Sequence, residues 1–113
     1  MSTNTGMQEP TFLILTVLAD ETRHGYAIAQ EVAALSSGRV VLRTGTLYAA
    51  LDRLLALGLI AVAREEVVEG RHRRYYALSD AGAESLTDEA ERLRRNATEA
   101  RRRLRTRSQA RLA

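Results

Sequence analysis

The sequence predicts a mainly α-helical domain with a small β-hairpin, extended by a long C-terminal helix. A nearly unbroken apolar run at residues 12–19 and two later segments with apolar residues at helical spacing predict three helices before residue 58. Two alternating segments flank a Glu69-Gly70 turn, and apolar residues then recur at intervals of three and four to Leu104. Three helices followed by a hairpin, in that order, predict a winged helix-turn-helix with a long C-terminal dimerisation helix.

The length and composition suit one small ordered domain. The chain has 113 residues, of which 45% are hydrophobic and 27% charged, and it contains no cysteine. Disulfides and thiolate metal sites are therefore excluded. We divide the sequence into a flexible N-terminal arm (1–9), a winged helix-turn-helix domain (10–79), a C-terminal dimerisation helix (80–107) and a frayed basic tail (108–113).

The first predicted helix is apolar on nearly every side. Pro10 fits its first turn, where a missing N–H costs nothing, and residues 12–19 form an almost unbroken apolar run. This run is too short to span a bilayer, so we expect a cytoplasmic protein with no membrane partner. A helix that is apolar all round must be covered all round, which is difficult in a small monomer.

The second helix is predicted after the polar break at residues 20–24, beginning near Gly25 and ending before Ser36. Its buried stripe is expected to comprise Ile28, Val32 and Leu35. The β-branched run at residues 39–42 then predicts a short strand.

The third helix is predicted over residues 44–57. Thr44 is a candidate N-cap, because its hydroxyl can accept free N–H groups of the first turn. Gly58 stands where a left-handed residue would end the helix. Between them, the helical spacing is carried by Leu47, Leu51, Leu54 and Leu55.

The C-terminal helix is predicted to begin after Ser79, a second N-cap candidate, and to continue to about residue 105. Its apolar positions, here called the C-terminal stripe, are Ala83, Leu86, Ala90, Leu93, Ala97, Ala100 and Leu104. Three acid-before-arginine pairs spaced four residues apart support this helix; they are Asp88–Arg92, Glu91–Arg95 and Glu99–Arg103.

The C-terminal stripe fits either a contact between two subunits or a helix folded back on its own domain. We favour the first alternative because alanine permits close approach and the first helix also needs covering. The expected homodimer interface comprises Phe12, Leu15, Leu86, Ala90, Leu93, Ala97, Ala100 and Leu104.

The third helix of a winged helix enters the major groove of DNA, and its N-terminal residues approach the base edges. The candidate DNA-binding residues of this recognition helix are Arg43, Thr44, Gly45, Thr46, Tyr48 and Arg53. Arg43 is the best candidate for a bidentate guanine contact, although it could equally be a solvated surface arginine. Tyr48 can donate its hydroxyl to a phosphate.

The second strand of the hairpin carries a basic run that is expected to contact DNA phosphates. The candidate residues of this wing are Arg71, His72, Arg73 and Arg74, with Tyr76 expected in the core and Tyr75 pointing the other way. Glutamates at positions 65, 66 and 69 lie close enough to neutralise part of this charge. At the start of the second helix, Arg23, His24 and Tyr26 are further candidates.

The charge is distributed unevenly. Residues 1–90 hold eight arginines against twelve acidic residues, whereas residues 91–113 hold nine arginines against two glutamates. These C-terminal arginines are either the polar faces of the dimer helix or a second, sequence-independent DNA surface.

Residues 11–82 resemble the PadR-like transcriptional regulators. The motifs that carry the resemblance are Gly25-Tyr26, Gly45-Thr46-Leu47-Tyr48 with Leu51, Arg53, Leu54 and Gly58-Leu59-Ile60, and Arg73-Arg74-Tyr75-Tyr76-Ala77-Leu78-Ser79 with Gly82. The single short C-terminal helix is similar to that of the smaller subgroup of this family. Thr44 departs from the usual proline, and the C-terminal stripe lacks the tryptophan with which some small members stack flat aromatic drugs.

The resemblance implies a homodimer in which each C-terminal helix crosses the first helix of its partner. It also implies repression of a nearby operon, relieved by a small-molecule effector that enters at the dimer interface. The expected DNA partner is a double-stranded, pseudo-palindromic operator, read by two recognition helices roughly 34 Å apart.

Other classes of function are less well supported by the residues. The two histidines, His24 and His72, have no nearby carboxylate arrangement or nucleophile motif, so neither an enzyme, a metal site nor a cofactor is expected. The alternative is a protein–protein interaction module built on the same fold, in which the arginines only solubilise the chain. Steep loss of affinity with salt would distinguish a DNA-binding protein from such a module.

Overall fold

The computed structural model describes residues 6–112, so the first five residues of the predicted arm and Ala113 lie outside the described part. Seven elements follow in the order α1 (Glu9–Val17), β1 (Arg23–His24), α2 (Gly25–Leu35), α3 (Thr44–Ala56), β2 (Ile60–Val68), β3 (Arg71–Leu78) and α4 (Asp80–Leu112). Three short helices, a small antiparallel sheet and a long C-terminal helix confirm the predicted fold class.

The helix starts follow the sequence closely, with one correction. Pro10 lies in the first turn of α1, and α2 begins after His24, whose Nδ1 accepts the N–H of Ala27 at 3.3 Å. The prediction that Thr44 caps α3 is wrong, because Thr44 is already helical and the N-cap is Arg43, which makes no side-chain cap. Gly58 follows α3 with φ 74°, as predicted for a left-handed terminator.

The sheet is built around β3, with the strand order β1-β3-β2. The hairpin pairs Ile60 with Leu78 at its base and Val68 with Arg71 at its tip. Its turn contains Glu69 and Gly70 with φ of 52° and 77°, the two left-handed residues that tight hairpin turns favour. The register shifts by one residue at Ala63, which forms a bulge.

Two predictions before α3 are wrong. Residues 39–42 form no strand; the N–H of Val40 donates to Ser36 Oγ at 2.9 Å, and Val40 and Leu42 pack against the core. The strand that joins the hairpin in the sheet is β1, which lies in the segment predicted as a polar break. In α2 the buried stripe ends at Val32, since Leu35 is 54% exposed.

The core lies where α1, α2 and α3 meet the base of the hairpin. Its fully buried large side chains are Ile14, Leu15, Ile28, Val32, Leu51, Leu54 and Tyr76. The burial of Tyr76 agrees with the sequence, whereas the burial of Leu15 does not. Leu15 was predicted in the dimer interface, but its side chain is 0% exposed within one protomer and belongs to the core.

The long helix α4 begins at the predicted cap and extends further than predicted. The N–H of Gly82 donates to Ser79 Oγ at 3.0 Å, which satisfies the first turn. Residues 108–112, expected as a frayed tail, are helical. Leu86 packs against the core, but every described residue from Leu93 onward is exposed, so this half of α4 does not fold back on its own domain.

Short-range ion pairs cover the exposed half of α4. Glu91 pairs with Arg95 and Glu99 with Arg103, as the spacing predicts. Arg92 does not pair with Asp88; it binds the buried Glu89 one turn away. Arg102 and Arg103 both donate to Glu99 and lower the pKa of its carboxyl to about 2.

Candidate nucleic-acid interface

The N-terminal turn of α3 presents small side chains to solvent. Residues 43–46 are exposed, while Leu47 is 3% exposed and anchors the turn in the core. A Cβ added at Gly45 would meet no atom within 4 Å, so the surface in front of it is open. Arg43 forms no salt bridge with the described residues, and its guanidinium remains available for an acceptor.

The hairpin distributes the four basic wing residues over its two faces. Arg74 and His72 share the face of the buried Tyr76, because successive side chains of a strand alternate. Arg71 and Arg73 lie on the opposite face with Tyr75. Both faces of the wing therefore carry positive charge, as the alternation predicts.

Tyr75 organises the outer face of the wing. The guanidinium of Arg64 lies 3.8 Å from the centre of its ring, and its hydroxyl donates to Glu66 at 2.7 Å. The ring of His24 meets that of Tyr75 edge-on at 5.5 Å. These contacts join the side chains of β1, β2 and β3 on this face of the wing.

His24 connects the wing with the start of α2. Burial lowers the pKa of its imidazole, and the nearby Arg73 lowers it further, while Glu66 acts in the opposite direction. The neutral ring is the form that can accept the Ala27 N–H through Nδ1. The side chain that caps α2 is therefore also the one whose pKa responds to the charges of the wing.

The wing keeps most of its positive charge. Arg74 lies 3.6 Å from Glu65, whereas Arg71 and Arg73 form no salt bridge in the described part of the chain. The expected neutralisation by glutamates therefore reaches one arginine directly. Burial raises the pKa of Tyr76, and the adjacent Arg74 opposes that shift.

A cleft of about 810 Å³ separates the wing from the start of α2 and the exposed side of α3. We call it the reading cleft; its lining residues are His24, Gly25, Tyr26, Tyr48, Asp52, Val68, Glu69, Arg71, His72, Arg73, Arg74 and Tyr76. The lining combines three arginines and two histidines with three tyrosines and the acidic Asp52 and Glu69. Such a surface can bind a phosphodiester backbone through charge and phenolic hydrogen bonds.

The cleft unites the predicted wing with Tyr48, His24 and Tyr26, but it excludes Arg23. The Arg23 side chain is 18% exposed, donates from Nε to the Val17 carbonyl at 2.8 Å and pairs with three carboxylates. Those carboxylates belong to Asp20, Glu21 and Glu31. The domain itself therefore occupies the donors of Arg23, which lies outside the reading cleft.

Arg53 also lies outside the cleft. It donates to the Thr11 hydroxyl at 3.3 Å, across a second cavity of about 420 Å³ between α3 and the start of α1. Gly45 and Thr46 line the same cavity. The recognition helix therefore presents two different sides, with Tyr48 towards the wing and Arg53 towards α1.

Three residues of this region were missed from the sequence. Asp52 lies one turn beyond Tyr48, a helical spacing that places both on one side of α3. Gly25 was predicted as the start of a helix and as part of the Gly25-Tyr26 motif but not as a site residue, although it borders the cleft. Arg64 carried no detectable signal, because the bulge at Ala63 decides which face it occupies.

The residues of the predicted dimer surface differ in how far they are buried within one protomer. Phe12 and Leu86 are half-buried within the protomer, and Leu15 is fully buried. The distal C-terminal stripe is exposed, with Leu93 at 40% and Leu104 at 60% exposure.

Among the described residues, no helix is both long and apolar enough to cross a membrane, and no group of side chains could hold a metal ion.

Comparison with known proteins shows which family the sequence matches. Residues 14–88 match the family described as "Transcriptional regulator PadR-like family". The chain is similar to the transcriptional regulator Rv3488 of Mycobacterium tuberculosis, with 42% identity over 76 residues, or 67% of each chain.

Solved structures resemble the fold as well. A PadR family transcription regulator from hypervirulent Clostridium difficile superposes with a TM-score of 0.71 at 25% identity, over 86% of this chain and 99% of that one. Bacillus subtilis PadR in complex with operator DNA gives a TM-score of 0.64 at 22% identity, over 72% of this chain and 47% of that one.

Proposed function

The chain belongs to the PadR-like family of transcriptional regulators, and from that premise we propose that it is a homodimeric, DNA-binding repressor of a nearby operon, released by a small molecule. The family comprises transcriptional regulators and not enzymes. The finer parts of the proposal concern the DNA contact, the dimer and the effector.

The observation that carries the DNA contact is the reading cleft. It brings the basic residues of the wing together with Tyr26 of α2 and Tyr48 of α3, and Arg74 and His72 lie on the cleft side of the hairpin, with Tyr76. A recognition helix reads base edges while an adjacent wing holds the backbone, and the two kinds of contact need separate surfaces. Here Arg43 and the first turn of α3 supply the base contacts, and the cleft supplies the backbone contacts. The operator complex of Bacillus subtilis PadR supports a duplex partner for this fold.

The dimer is supported by the exposed distal half of α4. Leu93, Ala97, Ala100 and Leu104 form a stripe that no described residue of the same protomer covers. Burial of such a stripe against the half-buried Phe12 and the rest of α1 in a second copy would remove apolar surface from water. Two protomers related in this way would present two recognition helices to the two halves of a pseudo-palindromic operator.

The effector site of the proposal lies between α1 and α4 of opposite subunits. That boundary would be lined by aliphatic side chains and Phe12, and the chain has no tryptophan. A ligand that is bound only in one relative orientation of the subunits would change the distance between the recognition helices. Such a ligand would be apolar and need not be a flat aromatic molecule.

Two measurements test the proposal together. Light scattering at micromolar concentration is expected to give the mass of a dimer, and a mobility-shift assay is expected to show binding to the upstream DNA of the gene. Binding should weaken steeply as salt rises, because phosphate contacts release counterions. A screen for compounds that release the DNA then addresses the effector. A monomer that does not shift this DNA would refute the proposal, and salt-insensitive binding to another protein would favour the interaction module.

A further inference from the structure

Gly25 lies where α2 begins, and its missing side chain leaves room for Tyr48 of the recognition helix. A Cβ placed on Gly25 would lie 2.5 Å from the Tyr48 hydroxyl oxygen and 2.9 Å from Cζ. Gly25 is buried and is not among the described glycines with positive φ. The position therefore requires glycine for space and not for backbone conformation.

The phenol of Tyr48 is thereby fixed at a junction of three elements. It rests on the first residue of α2, projects from α3 and lines the reading cleft beside Tyr76 of β3. Tyr48 is nevertheless 43% exposed, so its outer part faces solvent. An exposed side chain of this kind would otherwise populate several staggered rotamers.

We propose that Gly25 is a positioning residue for DNA binding, which holds the Tyr48 hydroxyl at the floor of the reading cleft where a backbone phosphate binds. This inference rests on the proposed DNA-binding function and adds a specific role for a residue that does not itself contact DNA. A hydroxyl that is already oriented loses less conformational entropy when it donates to the phosphate. The first turn of α2 adds a partial positive charge on the same side.

The positioning role predicts that stability and affinity respond in opposite directions. In Gly25→Ala the new methyl group meets the far end of the partly exposed Tyr48 side chain, which can rotate outward and relieve the contact. Alanine is also a better helix former than glycine, so the fold is expected to be at least as stable. DNA affinity should fall, because the displaced hydroxyl no longer points into the cleft.

A double-mutant cycle tests this coupling. Gly25→Ala, Tyr48→Ala and the double variant are compared with the wild type by fluorescence anisotropy on a duplex from the upstream region of the gene. Each single variant is expected to bind roughly tenfold more weakly, as for loss of one charge-assisted hydrogen bond. The double variant should bind no more weakly than Tyr48→Ala, since without the phenol the methyl group has nothing to displace.

Additive losses in the double variant, or wild-type affinity of Gly25→Ala, would overturn the proposal. Thermal unfolding accompanies each titration; if Gly25→Ala fails to fold, recovery of the fold in the double variant supports the proposed contact, and failure of both refutes it. NMR separates this inference from the proposed function. Nuclear Overhauser effects between the Gly25 Hα and the Tyr48 ring are expected whether or not the protein binds DNA, and their absence would refute the positioning role.

Discussion

The direction of α4 depends on a close approach at Gly82, which leads to a quantitative prediction. A Cβ added at Gly82 would lie 2.0 Å from the carbonyl oxygen of Leu59 and 2.8 Å from Leu78 Cδ1. The first of these atoms is backbone and cannot rotate away. Ser79 ties the same turns together, because its N–H donates to the Leu59 carbonyl at 3.1 Å and its hydroxyl to that of Gly58 at 2.6 Å.

The expected cost of Gly82→Ala follows from these distances. Comfortable contact needs about 3.5 Å, so α4 and the turn after α3 must separate by more than about 1 Å. Overpacking of this kind costs about 3 kcal/mol, the upper end of its usual range. The higher helix propensity of alanine offsets about 1 kcal/mol of this cost. The net loss of unfolding free energy is therefore about 2 kcal/mol.

Urea denaturation followed by circular dichroism measures this loss, and Gly45→Ala provides a matched control. Gly45 is also helical, but its added Cβ meets no atom within 4 Å. That variant should be neutral or more stable by up to about 1 kcal/mol. The two variants should differ by about 2 to 3 kcal/mol, or roughly 8 to 12 °C in melting temperature for a domain of this size. Equal stability of the two variants would refute the close approach.

Three further predictions concern caps and DNA contacts. As pH falls below about 6.5, the unfolded chain binds a proton before the folded one, because the folded pKa of His24 is lowered; unfolding free energy should fall in that window. His24→Asn keeps a capping oxygen for the Ala27 N–H and should remove this pH dependence. Urea titrations at pH 7.5 and 5.5 measure it, and an equal drop in unfolding free energy in the variant and the wild type would contradict the prediction. Ser79→Ala should lose about 1 kcal/mol with its cap, measured the same way, and an unchanged midpoint would contradict this role. Arg73→Ala should weaken binding to operator and random duplexes alike, whereas Arg43→Ala should lose about 1 to 3 kcal/mol of discrimination at one base position; equal losses on both duplexes for Arg43→Ala would exclude base reading.

The sequence predicted the elements whose signals are local. Helix α3 carries regular leucine spacing and a terminal Gly58, and the hairpin carries alternation around two turn residues. The bounds of α3 were predicted to within one residue, and the turn of the hairpin lies at Glu69 and Gly70 as predicted. The cap of α3 was predicted one residue too late, at Thr44 instead of Arg43, since a threonine can occupy either the cap or the first turn.

The features that were missed depend on contacts distant in the chain. Strand β1 has only two residues, and it exists because β3 offers a free edge to Arg23 and His24. Residues 39–42 have strand propensity, but the packing of Val40 and Leu42 against the core decides their conformation.

The sequence predicted most residue types of the candidate site, but not which side chains share one surface. The basic wing and Tyr48 were identified from residue type and order, and the structure brings them to one cleft. The sequence could not separate Arg23 from the other candidate DNA-binding arginines, because its pairing with Glu31 depends on how the following helix α2 packs. Leu15 and Leu93 likewise look alike as apolar helix positions, although one is buried in the protomer and the other exposed.

Hydroxyl-radical footprinting of the upstream DNA of the gene tests the central proposal most directly. A dimer with two recognition helices should protect two patches of similar pattern, with centres about one helical turn or roughly 34 Å apart. Protection of the flanking backbone should weaken in Arg73→Ala while the two patches remain. A single protected patch, or uniform protection without defined edges, would contradict the proposal that the protein reads a two-part operator as a dimer.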